Sequence, residues 1–360
     1  MTLNRPFFII GAPRSGTTYL AKVLDRHQQI VCTDETRVMT WVNRALNDLP
    51  ADKRAIQSLR DRWIAHLEAE LPGMVSRFYQ GLGARAGIVW GDKNPHYSDP
   101  KTDPAALQTI DRLFPRSRFI HIVRDGRNVV VSLMAKGWAL NVHYGVDVWQ
   151  RHVTHSRNFG RTLSSDRFLE LRYEDIVADE TAGVKAILDF LQVSEDPDLT
   201  RYLGEGGSKS DPVSAPITPA DRFGAPMWAD RLTPEQLAYV EHALADLLVE
   251  YGYETPAWRE RVRATPPPDL PRPESIGAIV ERARSGGDAT ALSAAIDALD
   301  ERRHELEREL ADAKRQAEQA RELLARQSAT GARAFSAKIR RRLRALFKTT
   351  PARRGPRPGP

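Results

Sequence analysis

Two short stretches of this 360-residue chain combine residue types that bind phosphate. The first reads Phe7-Phe-Ile-Ile-Gly-Ala-Pro-Arg-Ser-Gly-Thr-Thr18. An apolar run, Phe7 to Ile10, enters a Gly-rich loop, and a helical pattern opens where the loop ends. Backbone N–H groups in such a loop point at an anion, and the dipole of the following helix adds positive potential. The spacing Gly11-x-x-x-x-Gly16 is that of a P-loop, but Thr17 stands where a nucleotide triphosphatase carries its Lys. The basic residue lies inside the loop instead, as Arg14, beside Ser15, Gly16, Thr17 and Thr18. The second stretch, from Arg118 to Ser132, again reads as strand, polar turn and helix. Arg124 emerges at the carboxyl end of that strand, where open α/β sheets bind ligands. Ser132 follows about two helical turns later. Both can reach one phosphate, Arg124 as a bidentate clamp and Ser132 as a neutral donor. Two phosphate-directed turns in one domain fit a nucleotide that bears two phosphate groups.

The elements that must hold these turns follow from the apolar pattern. Strands are expected over 7–10, 30–32, 88–91, 118–123 and 168–172. Helices are expected after the Gly-rich loop and over 36–46, 52–69, 105–113, 126–134, 144–162 and 182–191. Thr233-Pro234-Glu235 starts another, since Thr caps and Pro suits the first helical position. That helix should end near Gly252. The alternation predicts an α/β fold, a three-layer α/β/α P-loop-like domain with a mainly parallel sheet, over 1–258. A Pro-rich linker over 259–275 follows. Leu292, Ile296, Leu299, Leu306, Leu310, Ala313, Ala317, Ala320 and Leu324 then keep a 4-3 spacing, which predicts a coiled coil within 276–327 and a homodimer through it. The segment 328–360 is a basic tail whose Phe335, Ile339, Leu343 and Leu346 share one helical face, suited to an anionic membrane surface.

Composition narrows the function classes. Hydrophobic residues make up 41% and charged residues 28%, as in a soluble globular protein. The single cysteine, Cys32, excludes an intrachain disulfide and reads as a small core residue. No signal peptide and no membrane-length apolar run is read, so a cytoplasmic protein, with the tail peripheral at a membrane, is expected. The net charge of +6 belongs to the tail: residues 331–360 hold ten Lys or Arg and no acid, and the rest holds 43 basic against 47 acidic residues. Nucleic acid is therefore not an expected partner. No metal-ligand spacing is seen among the nine His. Trp41, Trp63, Trp90, Trp138 and Trp149 are read as core, and Arg127 as a solvated helix charge.

In their order along residues 5–256 these motifs resemble the sulfotransferases that use 3′-phosphoadenosine 5′-phosphosulfate (PAPS). Residues 13–18 resemble that family's 5′-phosphosulfate loop, and Arg124 with Ser132 its 3′-phosphate site. Tyr173-Glu174-Asp175 resembles a further recurring element at the nucleotide. Leu232-Thr-Pro-Glu235 and Tyr251-Gly-Tyr253 resemble the usual end of the domain. A finer similarity is to tyrosylprotein sulfotransferases, in which a Glu-Glu-Thr-Arg run supplies the proposed base and an Arg near the acceptor. Asp34-Glu-Thr-Arg37 is similar, which implies Glu35 as base and Arg37 as an acceptor contact. Asp92-Lys-Asn-Pro95 resembles their Asn-Lys-Asp-Pro segment, which implies that Lys93 assists transfer. Asp34 and Asn94 depart from the pattern and leave the acceptor open among a peptide tyrosine, a glycan, a lipid and a phenolic metabolite.

The implied chemistry is sulfonate transfer from PAPS to a hydroxyl, in line and without a metal. A carboxylate can take the acceptor proton. Lys93, Arg14 and the loop N–H groups can stabilise charge growing on the leaving phosphate. His96 is a rival base, and Lys136, one turn beyond Ser132, a further contact to the 3′-phosphate. The alternative activity is a P-loop kinase acting on a small alcohol or nucleotide, which Thr17 in the Lys position disfavours.

Overall fold

The computed structural model describes residues 5–47, 54–84, 87–205 and 227–270. The chain divides into two compact units, Met1–Arg272 and Pro273–Pro360. The expected coiled coil and basic tail lie outside the described residues.

The first unit is built on five parallel strands in the order β2-β3-β1-β4-β5. They are β1 (Phe7–Ile10), β2 (Ile30–Asp34), β3 (Val89–Lys93), β4 (Arg118–Val123) and β5 (Phe168–Arg172). β1 is a continuous apolar run, and β4 is buried at every residue, because a parallel sheet is covered on both faces. Alternation sorts the side chains. Phe7 and Ile9 join Ile120 and Ile122 on one face, and Phe8 and Ile10 join Phe119 on the other. The first face is covered by α1 (Thr17–Leu24), α8 (Glu180–Leu191) and α9 (Pro197–Gly204). The second face is covered by α2 (Val38–Asn47), α3 (Arg54–Gly81) and α4 (Ala106–Leu113), with Phe159 of α6 (Val142–Gly160).

A third apolar cluster binds the carboxyl half of the unit together. It joins α5 (Gly126–Ala135) and α6 to α11 (Pro234–Glu250), around Trp149. Among the described residues the unit also has three short α-helices: α7 (Tyr173–Ala178), α10 (Trp228–Arg231) and α12 (Pro256–Ala264). α11 starts with Thr233 as cap and Pro234 in the first turn, as expected, and Gln236 completes a capping box. Gly252 follows its end at φ 70°.

Several boundaries differ from expectation. β2 and β3 each run on to the residues that carry charge, Asp34 and Lys93. Polar strand ends lack the apolar signal on which the expected boundaries rested, but their backbones still pair, Asp34 against Lys93. α3 does not stop at 69 but continues through Pro72 to Gly81. A Pro inside a helix costs about 3 kcal/mol. Burial of Leu71, Val75 and Tyr79 against the sheet offsets that cost. α12 crosses residue 258, where the sequence placed the end of the domain. Among the described residues no helix is long and apolar enough to cross a membrane.

Candidate active site

All five strands end at the same edge of the sheet, and each hands over to a segment with functional chemistry. The order of strands puts β3, β1 and β4 side by side. Lys93, the Gly-rich loop and Arg124 are thereby neighbours, although they are far apart in sequence.

The loop after β1 is held open by contacts that only glycine permits. Gly11 has φ 143°, and a Cβ there would lie 2.4 Å from the Ile122 carbonyl oxygen. Its N–H donates to Ser98 Oγ at 3.0 Å. Gly16 caps α1 at φ 90°, and a Cβ there would lie 2.3 Å from the Tyr173 ring. Arg14 also takes a left-handed conformation, φ 72°, a conformation found mainly at turns and functional sites in residues other than glycine. Ser15 is fully buried, and its hydroxyl has no hydrogen-bond partner among the described residues. A buried hydroxyl beside a helix N-terminus suits an anion. Thr17 is buried and Thr18 half-buried at the same turn.

The turn after β4 is bound to this loop. Arg124 is buried and donates to the Arg14 carbonyl at 3.1 Å. Its guanidinium stands over the Tyr173 ring, 5.0 Å from the centroid. Arg14 Nε donates to Ser132 Oγ at 3.0 Å. The two stretches predicted to bind phosphate separately are thus one structure, with Arg14, Arg124, Ser132 and Tyr173 in mutual contact. Tyr173 is buried beneath Gly16. Lys136 is exposed at the carboxyl end of α5.

Lys93 and Glu35, the pair expected to serve the transfer, lie on the other side of the loop. Lys93 Nζ is 2.7 Å from Glu35 Oε1 and 2.5 Å from Asp34 Oδ1. Lys93 is 1% exposed, whereas the Glu35 side chain is 41% exposed. A buried cation therefore backs a carboxylate that faces solvent. Glu35 and Arg37 both have left-handed backbones, φ 55° and 57°, and the Glu35 amide donates to the Lys93 carbonyl at 2.7 Å. Arg37 is exposed on the turn that enters α2. His96 sits past Lys93 in a 3-10 turn, where its backbone N–H donates to Asn94 Oδ1 at 3.0 Å.

Several residues stand in surroundings that differ from the sequence expectation. Arg127 is not a solvated charge. It is 3% exposed, bonded to Asp125, Glu241 and Glu254, and stands over Trp228. Most of that cage comes from residues about a hundred positions or more away, Trp228, Glu241 and Glu254. Trp41, Trp63 and Trp138 are not core: they are 57%, 58% and 56% exposed. Trp138 lies in a loop beside Arg14, and Trp90 and Trp149 are the buried pair. Trp149 Nε1 donates to the Arg124 carbonyl at 3.0 Å, a support for the anion turn that no local motif announces. Cys32 is buried, as expected. Among the described residues no group of three or more His, Cys, Asp or Glu is placed to hold a metal ion.

Comparison with known proteins bears on this geometry. A family model described as the sulfotransferase family matches residues 6–197. Protein-tyrosine sulfotransferase 2 of Gallus gallus is 25% identical over 263 residues, 69% of this chain and 69% of that protein. Protein-tyrosine sulfotransferase A of Caenorhabditis elegans is 25% identical over 290 residues, 75% of this chain and 71% of that protein. At these identities the matches bear on the family rather than on the acceptor. Among solved structures, the sulfotransferase domain of the Synechococcus PCC 7002 olefin synthase is 21% identical at a TM-score of 0.49, covering 70% of this chain and 96% of that domain. The architecture rests on the strand register and not on that likeness.

Proposed function

The chain belongs to the sulfotransferase family, and from that premise we propose that it transfers a sulfonate from PAPS to an acceptor hydroxyl. The observation that carries this reading is the Lys93–Glu35 contact at 2.7 Å, on the sheet edge that also carries the Arg14–Ser132–Arg124 cluster. A base and a cation stand beside a phosphate site, as transfer requires.

In this reading Glu35 accepts the proton of the attacking hydroxyl. A new S–O bond forms to the acceptor oxygen as the S–O bond to the donor's 5′-phosphate breaks, in line. The phosphate oxygen keeps the electron pair of the broken bond. Lys93, Arg14 and the loop N–H groups stabilise its charge. Arg124 and Ser132 hold the 3′-phosphate, with Tyr173 packed between the two anion sites. Ser15, whose buried hydroxyl lacks a partner among the described residues, donates to the 5′-phosphate. A sulfonate carries less charge than a γ-phosphate, and these cations serve without a divalent ion. Family membership sets the kinase alternative aside.

The curated relatives are named as protein-tyrosine sulfotransferases. A tyrosine-containing peptide is accordingly the first acceptor to try, with Arg37 at the acceptor side. Transfer of radiolabelled sulfonate from PAPS in the presence of EDTA tests the reading. Labelled product from wild type and none from Glu35→Gln supports it. Transfer of phosphate from ATP·Mg²⁺ instead contradicts it. The reading extends to the heptad-spaced segment as a dimer contact. Sedimentation of the full chain and of a chain ending at Pro273 should then differ by one copy.

A further inference from the structure

Behind the Glu35–Lys93 pair lies a carboxylate that the reaction does not use. Asp92 precedes Lys93 on β3 and is wholly buried. A buried carboxylate needs donors to replace lost water. Here hydroxyls supply them. Thr33 Oγ1 donates to Oδ1 at 2.6 Å, and Tyr97 Oη and Thr36 Oγ1 donate to Oδ2 at 2.6 and 3.1 Å. The Thr36 amide also points at Oδ1, 3.4 Å away. A hydroxyl has one proton. Since Thr36 gives its proton to Asp92, Tyr79 Oη, 3.1 Å away, must donate to Thr36. Burial pushes the Asp92 carboxyl up, while the bonds from Thr33, Tyr97 and Thr36 pull it down.

Two of the donors bracket the reactive carboxylate. Thr33 precedes Asp34 and Glu35, and Thr36 follows them. The left-handed backbone at Glu35 is disfavoured for a residue with a side chain and persists only where its surroundings impose it. Both ends of the turn are tied to one buried carboxylate on the neighbouring strand. Lys93, the next residue along that strand, receives the turn's charge.

We propose that Asp92 is the positioning residue of this site: by gathering the hydroxyls of Thr33 and Thr36 it fixes the turn that presents Glu35 to Lys93. The kinetic consequence rests on the sulfonate-transfer reading, whereas the mechanical one does not. Misplacing a reacting group by about 1 Å costs on the order of 10²-fold in rate. Nucleotide affinity is set on the far side of the loop and should not change.

The test compares wild type with Thr36→Val, Thr36→Ser, Tyr97→Phe and Asp92→Ala. PAPS and the acceptor that wild type sulfonates serve for kinetics. Adenosine 3′,5′-bisphosphate serves for calorimetry, and amide hydrogen exchange reports on residues 34–37. Thr36→Val should lower kcat by on the order of 10²-fold, with KM for PAPS and bisphosphate affinity unchanged. Its exchange at 34–37 should quicken. Thr36→Ser should restore both, and Tyr97→Phe, which removes a donor outside the Glu35 turn, should leave both near wild type. Asp92→Ala should repeat the Thr36→Val pattern where it folds. Wild-type kcat and exchange in Thr36→Val overturn the proposal, as do equal losses in Thr36→Val and Tyr97→Phe. If wild type transfers no sulfonate, the functional reading falls by itself. The exchange comparison then decides the positioning role alone.

Discussion

Lys93 and Glu35 differ in what their loss should cost. Lys93 is buried, but both of its partners, Asp34 and Glu35, are more than two-fifths exposed and can be hydrated without it. Lys93→Met, of similar length, should therefore change stability by less than about 1 kcal/mol. The same variant should lower kcat by on the order of 10²-fold, as loss of a charge-stabilising donor does. Chemical denaturation and steady-state kinetics on one preparation separate the two. Glu35→Gln keeps the shape and removes the base, and should cost roughly 10²- to 10⁴-fold in kcat while calorimetry finds bisphosphate affinity unchanged. Legibility at this scale followed locality. Arg14 and Arg124 could be singled out because each lies between a strand end and a helix start, and Ser132 because it follows Arg124 by about two helical turns; the structure brings the three into contact. Asp92 was not, because its meaning comes from hydroxyls at 33, 36 and 97, which one chain position cannot announce. Arg127 was misread for the same reason: half of a helix amphipathicity argument is who packs on it, and its carboxylates come from residues 125, 241 and 254.

The loop between β1 and α1 is the element on which both proposed anion sites depend. Gly16→Ala would place a methyl group 2.3 Å from the Tyr173 ring on a backbone at φ 90°. The backbone strain alone costs about 1–3 kcal/mol, and relief of the clash must move Tyr173, on which Arg124 rests. Bisphosphate binding should weaken by at least about tenfold, the equivalent of roughly 1.4 kcal/mol. The far-UV circular dichroism should be unchanged, since the sheet core lies below the loop. Binding at wild-type strength would show that the loop is not the anion cradle. The strands were the most legible elements, because burial on both faces leaves uninterrupted apolar runs such as Phe7–Ile10. The helices were less so. α3 runs through Pro72 because packing overrides a local breaker. Trp41 and Trp63, though apolar, occupy the outward faces of α2 and α3.

Over the molecule as a whole, one buried ion cluster and one buried, uncharged imidazole tie stability to distant parts of the chain and to pH. Arg127 ties the start of α5 to α11 and to Glu254, so that the carboxyl-terminal helices brace the turn bearing Arg124. Arg127→Leu should cost roughly 3–5 kcal/mol, because three carboxylates lose their common cation in a mostly buried place. A smaller loss in urea denaturation would mean that water reaches them. His152 is buried in α6, where its Nδ1 donates to the Val148 carbonyl at 2.7 Å. Burial pushes its ring down to about 4 from an ordinary 6.5. The unfolded chain thus binds a proton that the folded chain refuses. Its contribution to stability is complete above pH 6.5 and is lost as pH falls towards 4, by roughly 3 kcal/mol in all. His152→Gln should flatten the acid side of the stability profile between those limits. The most direct test of the central claim is calorimetric titration of wild type and Arg124→Ala with adenosine 3′,5′-bisphosphate in EDTA. A donor site of the proposed kind predicts binding without a divalent ion in wild type and a loss of at least about thirtyfold in the variant, as for a buried charge contact. Wild type that fails to bind the bisphosphate, or a variant that binds it equally well, would contradict the account.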